Sequence, residues 1–256
     1  MIDVHSHVLA AIDDGPDDVS GSVAMARAMA ADGVRVVCAT PHVRDDWPTT
    51  PELMERRLEQ VRAAVAEAGV EIEIRGGGEI ALDRLPELTF DDRARFGLGG
   101  NPRLLLLEFP YYGWPLELGS VCSALLRERV VPVLAHPERN AEVQAMPHRL
   151  EHVVHEGVFV QLTAASVDGR LGRRAAECAH ELLDLRLAHL IASDAHAPEV
   201  REAGMGAAAR AVGDDGFARW LCEEVPAALL AGEDPPLRPR VRHRRRRGLL
   251  RRRRRR

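Results

Sequence analysis

The sequence predicts an α/β fold in the form of a seven-stranded barrel. Seven short runs rich in β-branched residues or leucine alternate with segments of helical pattern, which is typical of parallel strands joined by crossover helices. The runs do not alternate between apolar and polar residues, so both faces of each strand are expected to be buried. At 256 residues and 46% hydrophobic composition, the chain is long enough to close one barrel around a full core.

The order of the elements follows from these patterns. The expected strands are 2–6, 34–39, 71–75, 104–108, 131–135, 158–162 and 189–193. Helices are expected near 19–32, 51–68, 116–129, 147–156, 173–186, 199–212 and 217–231. Gly33 ends the first helix, and the second begins at Thr50 and Pro51 and ends at Gly69. The repeats share no sequence period, which argues against a solenoid.

Charge divides the chain into two parts. All 35 basic residues are arginine, and thirteen of them lie in residues 238–256, which contain no acidic residue. Residues 1–237 hold 22 arginines against 39 acidic residues, a net charge of −17. We therefore expect a barrel over 1–233 and an arginine-rich tail over 234–256, too charged to pack and hence disordered. The tail could contact an anionic membrane surface, nucleic acid or an acidic partner, or be an adventitious extension from GC-rich coding.

Other compositional features predict a cytoplasmic protein. No run reaches the ~20 apolar residues that a membrane-spanning helix needs, and the N-terminus lacks the pattern of a signal peptide. The four cysteines have no CxxC spacing, which predicts reduced thiols rather than a disulfide framework or a thiolate zinc site. With its basic tail, the protein could also lie peripherally at the inner face of the membrane.

Ionisable side chains follow the ends of six of the seven expected strands. Because the C-terminal ends of the strands form the active-site face of such a barrel, these side chains should meet on one rim. A lone His-x-His is more often a satisfied core pair than a metal site, but six such placements together favour metal ligation. Nitrogen and oxygen ligands without thiolate suit manganese, zinc or iron, and their number indicates two or three ions. They are His5, His7, Asp13, Asp14, His42, Glu79, Glu108, His136, Glu138, Arg139, Asp194 and His196.

The motifs DVHSH, IDDG, TPH, GGEI, LLEFP, AHPERN and SDAH, in this order, resemble the polymerase-and-histidinol-phosphatase (PHP) superfamily. Over roughly residues 1–233 the resemblance is closest to its bacterial tyrosine-protein phosphatases of the CpsB/CapC type, which are associated with capsule and exopolysaccharide biosynthesis. It implies a distorted seven-stranded barrel with a trinuclear metal centre, usually of manganese. The implied metal ligands are His5, His7, Asp14, His42, Glu79, Glu108, His136, Asp194 and His196.

The resemblance also assigns roles. It implies that Glu79 bridges two ions, that Arg139 holds the phosphate, and that Arg139, Glu108 and His136 are the catalytic residues. Val43 stands where the family often has a second histidine, and Val225-Pro226 stands where it has Asn-Pro. Neither departure falls on an implied ligand.

The implied reaction is hydrolysis of phosphotyrosine on a protein, with a cognate bacterial tyrosine kinase as substrate. Metal ions would neutralise the phosphate dianion and lower the pKa of water, and tyrosinate, with a pKa of about 10, leaves without strong acid assistance. One alternative is a small-molecule phosphatase of the histidinol-phosphate type. Another is a PHP-type nuclease or nucleic-acid-binding module, which the acidic body disfavours because it lacks a basic groove.

Two further motifs have competing interpretations. Cys38 and Arg44 match the C-x5-R pattern of cysteine-dependent tyrosine phosphatases, but Cys38 lies in an apolar strand and Pro41 removes a backbone donor from any phosphate loop. Tyr111, Tyr112 and Trp114 follow the fourth strand. These rings either form a wall for a phosphotyrosyl ring or pack their loop onto the barrel.

Overall fold

The computed structural model of the protein describes residues 1–197 and 204–240. All seven predicted strands are confirmed to within two residues at their ends, and three strands of two or three residues were not predicted. The strands are β1 (Ile2–Ser6), β2 (Val36–Ala39), β3 (His42–Arg44), β4 (Trp47–Pro48), β5 (Glu73–Arg75), β6 (Glu79–Ala81), β7 (Leu104–Glu108), β8 (Val131–Ala135), β9 (Phe159–Thr163) and β10 (Leu190–Ala192).

Helices occupy the predicted segments, and three short helices, Phe90–Arg95, Ala141–Ala145 and Ala164–Val167, were not predicted. Predicted helix 147–156 begins with a 3-10 turn, and predicted helix 217–231 is divided by a π-turn at Trp220–Glu224. Residues 199–203 of predicted helix 199–212 lie outside the described residues. The helices are α1 (Val19–Ala31), α2 (Pro51–Glu67), α3 (Phe90–Arg95), α4 (Leu118–Arg127), α5 (Ala141–Ala145), α6 (Glu151–Glu156), α7 (Ala164–Val167), α8 (Arg173–Asp184), α9 (Met205–Val212), α10 (Asp215–Arg219) and α11 (Val225–Ala231).

Local sequence explains why α2 forms where it does. The Thr50 side chain caps the helix by accepting a hydrogen bond from the Leu53 backbone N–H at 3.3 Å, and Pro51 occupies the first turn, where its missing N–H has no cost. The buried residues recur at helical spacing and form one apolar face toward the core. They are Met54, Leu58, Val61 and Val65.

The strands form two sheets. A parallel three-stranded sheet has the order β1-β2-β5, and a seven-stranded sheet has the order β10-β9-β8-β7-β6-β3-β4, parallel except for the β3–β4 pair. Thr40 and Pro41 separate β2 from β3, and glycines 76–78 separate β5 from β6, so both breaks fall where two consecutive strands pass from one sheet to the other. The predicted α/β class is thus confirmed, with mixed sheets.

Hydrogen bonds connect the first strand to the segment that follows the last. The His7 N–H donates to the Ala195 carbonyl and the Asp194 N–H donates to the His5 carbonyl, each at 2.8 Å, beside a parallel bridge between Ser6 and Ala195. These contacts bring the histidines at the end of β1 next to the acid and imidazole that follow β10.

Close packing surrounds the glycine-rich break. A Cβ on Gly78 would lie 2.7 Å from Cδ1 of Phe96, which is fully buried, so only glycine lets the chain pass here before β6. The central strand β7 is buried along its whole length, consistent with a strand covered on both faces.

The beginning of the predicted tail is packed against the domain. Arg238 donates to the carbonyls of Ala188 at 3.1 Å and Leu183 at 2.6 Å, and its guanidinium carbon lies 4.5 Å from the Phe217 ring centroid. Residues 241–256, which hold most of the predicted disordered tail, lie outside the described residues. Within the described ranges, no helix is long and apolar enough to cross a membrane.

Candidate metal centre

The nine predicted metal ligands come together at the C-terminal ends of the parallel strands. Their ligand atoms form four overlapping groups, and within each group all atoms lie within 4.8 Å of one another. The groups are His7, Asp14, His42 and His196; His5, Glu79 and His136; His5, His7 and Asp194; and His42, Glu79 and Glu108.

Three atoms at the centre of this cluster, on His5, His7 and Asp194, have the spacing of ligands around one ion, and Glu79 lies beside two of them. His5 Nε2 lies 3.3 Å from His7 Nε2, 3.4 Å from Glu79 Oε2 and 3.5 Å from Asp194 Oδ1. His7 Nε2 lies 3.5 Å from the same glutamate oxygen and 3.6 Å from the same aspartate oxygen. Tetrahedral ligands about 2.1 Å from a zinc-sized ion stand about 3.4 Å apart. The residues therefore fit a divalent cation.

Glu79 directs its two oxygens at two different groups. Oε1 lies 2.8 Å from His136 Nε2, and Oε2 lies 2.9 Å from His42 Nδ1 without the geometry of a hydrogen bond. Burial disfavours the charged carboxylate, but His5 and the other imidazoles outweigh it and hold the pKa of Glu79 well below its usual value. An ionised, fully buried carboxylate among imidazoles is a strong attractor for a cation.

The outer group opens to solvent at Asp14, whose side chain is 47% exposed. Its Oδ1 lies 3.2 Å from His196 Nε2 and 3.5 Å from His42 Nε2, and the His7 and His196 rings stack with centroids 3.9 Å apart. Partial burial opposes ionisation of Asp14, but its hydrogen bond to His196 and the neighbouring imidazoles lower its pKa. This is the side from which a substrate can approach the cluster.

Two residues outside the predicted ligand set orient the histidines. Asp13 Oδ2 contacts His7 Nδ1 at 2.7 Å and accepts a hydrogen bond from the His42 N–H at 3.0 Å. Gln161 Oε1 contacts His5 Nδ1 at 3.0 Å. Each leaves the Nε2 atom facing the cluster, as second-layer partners of metal-bound histidines do. Gln161 was missed, although a lone amide in the apolar run FVQLT is a detectable signal.

Close backbone packing fixes the loop that carries Asp13 and Asp14. The Gly15 N–H donates to Asp13 Oδ1 at 3.0 Å. A Cβ on Gly15 would lie only 2.1 Å from the His7 carbonyl oxygen, so the turn in IDDG requires glycine at this position.

Glu108 forms an ion pair with Arg44, the arginine of the C-x5-R motif. Arg44 Nη1 lies 2.8 Å from Glu108 Oε1, while Glu108 Oε2 lies 3.8 Å from His42 Nδ1. Burial and the negative charge of Glu79 raise the pKa of Glu108. In the same C-x5-R motif, Cys38 is fully buried in β2, and burial raises the pKa of its thiol. The geometry therefore does not form a cysteine-phosphatase loop.

Arg139 lies at the rim of the cluster. Its Nη1 donates to Asp194 Oδ2 at 2.6 Å, and its guanidinium carbon stands 4.5 Å from the centroid of the Tyr111 ring. That ring stacks on His136 with centroids 5.6 Å apart.

His136 and Asp194 both have left-handed backbone conformations, with φ of 39° and 53°.

The remaining aromatic residues of this loop differ in environment. Trp114 packs edge-on against Phe109 at 5.9 Å and lies under Arg149 at 4.2 Å, so it holds the loop onto the domain. Tyr112 is 85% exposed.

Comparison with known proteins agrees with this geometry. The family described as "Capsular polysaccharide synthesis, CpsB/CapC" matches residues 1–223. The chain belongs to the CpsB/CapC family. The match confirms the resemblance inferred from the motifs.

CpsB/CapC relatives are similar over most of their length. Tyrosine-protein phosphatase YwqE of Bacillus subtilis is 32% identical over 202 residues, 78% of this chain and 79% of the relative. Tyrosine-protein phosphatase CpsB of Streptococcus agalactiae is 26% identical over 209 residues, 78% and 85% of the two chains. A structure from work on YwqE of B. subtilis and CpsB of Streptococcus pneumoniae, described as "unique metal-dependent tyrosine phosphatases", superposes with a TM-score of 0.83 at 27% identity. It covers 94% of this chain and 100% of that one.

Proposed function

We propose that this protein is a metal-dependent protein-tyrosine phosphatase that hydrolyses phosphotyrosine. The observation that carries the proposal is the central cluster, in which His5, His7 and Asp194 have the mutual spacing of ligands around one divalent cation. Glu79 Oε2 lies 3.4 Å and 3.5 Å from the two imidazole nitrogens of that group. Family relatives named tyrosine-protein phosphatases support the same reaction for this chain.

In this proposal the nine clustered side chains hold two or three divalent ions, with manganese as the expected metal. Glu79 would help to hold two of them, because its two oxygens face different histidines. The two sheets act as one distorted seven-stranded barrel around the site. Continuity of β2 with β3 and of β5 with β6, together with the Ser6–Ala195 bridge, supports that arrangement. The ligands would be His5, His7, Asp14, His42, Glu79, Glu108, His136, Asp194 and His196.

The chain's own residues complete the chemistry. When bound, the ions neutralise the phosphate dianion and lower the pKa of water. Arg139 offers a planar fork for two phosphate oxygens, and Asp194 orients it through their hydrogen bond. Tyr111 covers His136 and supports the guanidinium. Glu108 and His136, which belong to the same cluster, are the other proposed catalytic residues. The tyrosinate leaving group needs no strong acid, since its pKa is about 10.

The substrate class follows from the family. A cognate bacterial tyrosine kinase of capsule or exopolysaccharide biosynthesis is the proposed protein substrate, and a cytoplasmic location is the proposed one. The arginine-rich tail would contact the anionic inner face of the membrane, where such basic segments bind. The family name supports the biosynthetic setting.

Metal removal tests the proposal. Chelation should abolish hydrolysis of a phosphotyrosyl peptide, and Mn²⁺ should restore it, with metal content measured on the same samples. Glu79→Gln should lose both metal and turnover while remaining folded, because it removes the central buried carboxylate. Glu59→Gln is the matched control, since this glutamate is exposed on α2.

Substrate comparison completes the test. We expect the phosphotyrosyl peptide to be turned over faster than histidinol phosphate or single-stranded DNA. Full activity in metal-free protein, or preferential cleavage of either competitor, contradicts the proposal.

A further inference from the structure

A basic cleft lies next to the metal cluster on the Tyr111 side. It has a volume of about 450 Å³ and begins at Arg139 and Tyr111, which contact the candidate ligands Asp194 and His136. Its lining includes two arginines and, within the part of the chain that the structure describes, no acidic residue. The residues that matter here are Tyr111, Tyr112, Arg139, Gln144, Leu171 and Arg174.

Arg174 supplies a positive charge that the described part of the fold does not use. It is exposed, and among residues 1–197 and 204–240 it forms no hydrogen bond, ion pair or ring contact. Most arginines around the site differ: Arg139 is bonded to Asp194, and Arg44 is bonded to Glu108 and Asp46. An arginine that no described residue contacts, at the edge of a substrate cleft, is available to an anionic group of the ligand.

The local backbone adds to this positive potential. Arg174 lies in the first turn of α8, where no side chain caps the helix and no acidic residue is present. Two arginines at this end are unfavourable for the helix itself, because the N-terminal end of the helix dipole is already positive. An anion bound there would interact favourably with the arginines and with the positive end of the helix dipole.

A second cleft on the other side of the 110–115 loop has the opposite character. Its volume is about 490 Å³, and its lining includes Asp45, Asp46, Asp83 and Glu108 with Arg44 as the single cation among the lining residues. Four acidic side chains there would repel a carboxylate on the substrate. The two clefts therefore give the approach to the cluster a positive side and a negative side.

We infer that the cleft between Tyr111 and Arg174 binds an acidic side chain of the substrate polypeptide, close in sequence to the phosphotyrosine, and that Arg174 determines this preference. The inference rests on the proposed function and specifies its substrate class. Arg139 takes the phosphate, and Arg174 takes the neighbouring carboxylate. The preference should weaken with salt, because the arginine is exposed and its charge is screened over ~8 Å at physiological ionic strength.

The test uses the metal-loaded enzyme and a set of short phosphotyrosyl peptides. Each peptide carries Glu, Gln or Lys at one position, one to three residues before or after the phosphotyrosine. All remaining positions are alanine. We expect kcat/KM for Glu to exceed that for Gln by about threefold to fivefold at one or more positions, the size expected for an exposed ion pair. Lys should be the poorest of the three there.

Arg174→Gln should bring this Glu-to-Gln ratio close to one, and Arg174→Glu should reverse it in favour of Lys. Arg56→Gln is the matched control, because Arg56 is also exposed and likewise has no partner where the structure describes the chain, but lies on α2. This variant should keep the wild-type ratio.

The outcomes separate the two proposals. A wild-type enzyme that hydrolyses the peptides without any charge preference overturns the inference alone, as does a preference that survives Arg174→Gln. No turnover of any peptide in the presence of Mn²⁺ overturns the proposed function, and the inference with it.

Discussion

Replacing Arg139 separates phosphate binding from metal binding. Arg139→Lys keeps the positive charge but loses the planar fork and the stacking on Tyr111, whose centroid lies 4.5 Å from the guanidinium carbon. A hydrogen bond to a charged group contributes about 1.5–3 kcal/mol, which corresponds to a rate factor of about 10–100. We therefore expect kcat/KM for a phosphotyrosyl peptide to fall by about 10–100-fold in Arg139→Lys and further in Arg139→Gln.

Metal content should stay close to wild type in both variants. Asp194 loses its 2.6 Å contact with Arg139, but its backbone N–H remains bonded to the His5 carbonyl at 2.8 Å. The assay combines steady-state kinetics, inhibition by inorganic phosphate and elemental analysis, with Arg56→Lys as control. Lost metal together with unchanged phosphate inhibition would refute the reasoning and show that Arg139 serves only to hold Asp194.

Four further predictions concern residues away from the cluster. Cys38→Ser should retain turnover. Its free energy of unfolding, measured in urea, should fall by roughly 1–3 kcal/mol, because the substitution buries a hydroxyl in an apolar strand. A folded, metal-replete but inactive variant would instead support cysteine chemistry. Deleting residues 241–256 should leave peptide turnover unchanged. Arg238→Ala should lower the free energy of unfolding by about 1–3 kcal/mol, because it removes the two hydrogen bonds to backbone carbonyls. Equal stability of wild type and Arg238→Ala would show that these contacts are dispensable. Burial, with a smaller contribution from Arg238, lowers the pKa of His189 from 6.5 to about 4. The unfolded chain therefore takes up the proton first, and stability is lost as pH falls from 6.5 toward 4, by about 2–3 kcal/mol at pH 4.5. In His189→Gln, the free energy of unfolding measured in urea should fall less between pH 6.5 and pH 4 than in wild type. An unchanged pH dependence of stability would contradict this assignment to His189.

The sequence predicted the long buried strands and the side chains at their ends, because both leave strong local patterns. Strands β3 and β6 were missed because each has three residues and directly follows a proline or glycine break, too short for any periodicity. Local pattern alone also did not distinguish the two adjacent acids of IDDG; only the family resemblance selected Asp14 as the ligand. Asp13 turns inward to His7, while Asp14 faces His42 and His196, a difference fixed by the turn at Gly15 rather than by composition.

Arg44 shows the same limit for long-range pairs. Its motif spacing associated it with Cys38, six residues earlier, whereas its partner Glu108 lies 64 residues away and reaches it through the pairing of β3, β6 and β7. Arg174 left no sequence signal at all, because one arginine among 35 carries little information until its surroundings are known.

The left-handed backbones of His136 and Asp194 link folding to metal loading. Each such conformation costs on the order of 1–3 kcal/mol for a residue other than glycine, although His and Asp tolerate it better than most. Glycine would adopt the same turns without this cost, so folding stability alone would favour glycine at both positions. If His136 and Asp194 are ligands, as proposed, an ion that binds only the folded chain would stabilise it by mass action and so offset this strain. The metal-free chain bears that strain uncompensated, and local opening of these two turns should accompany metal release.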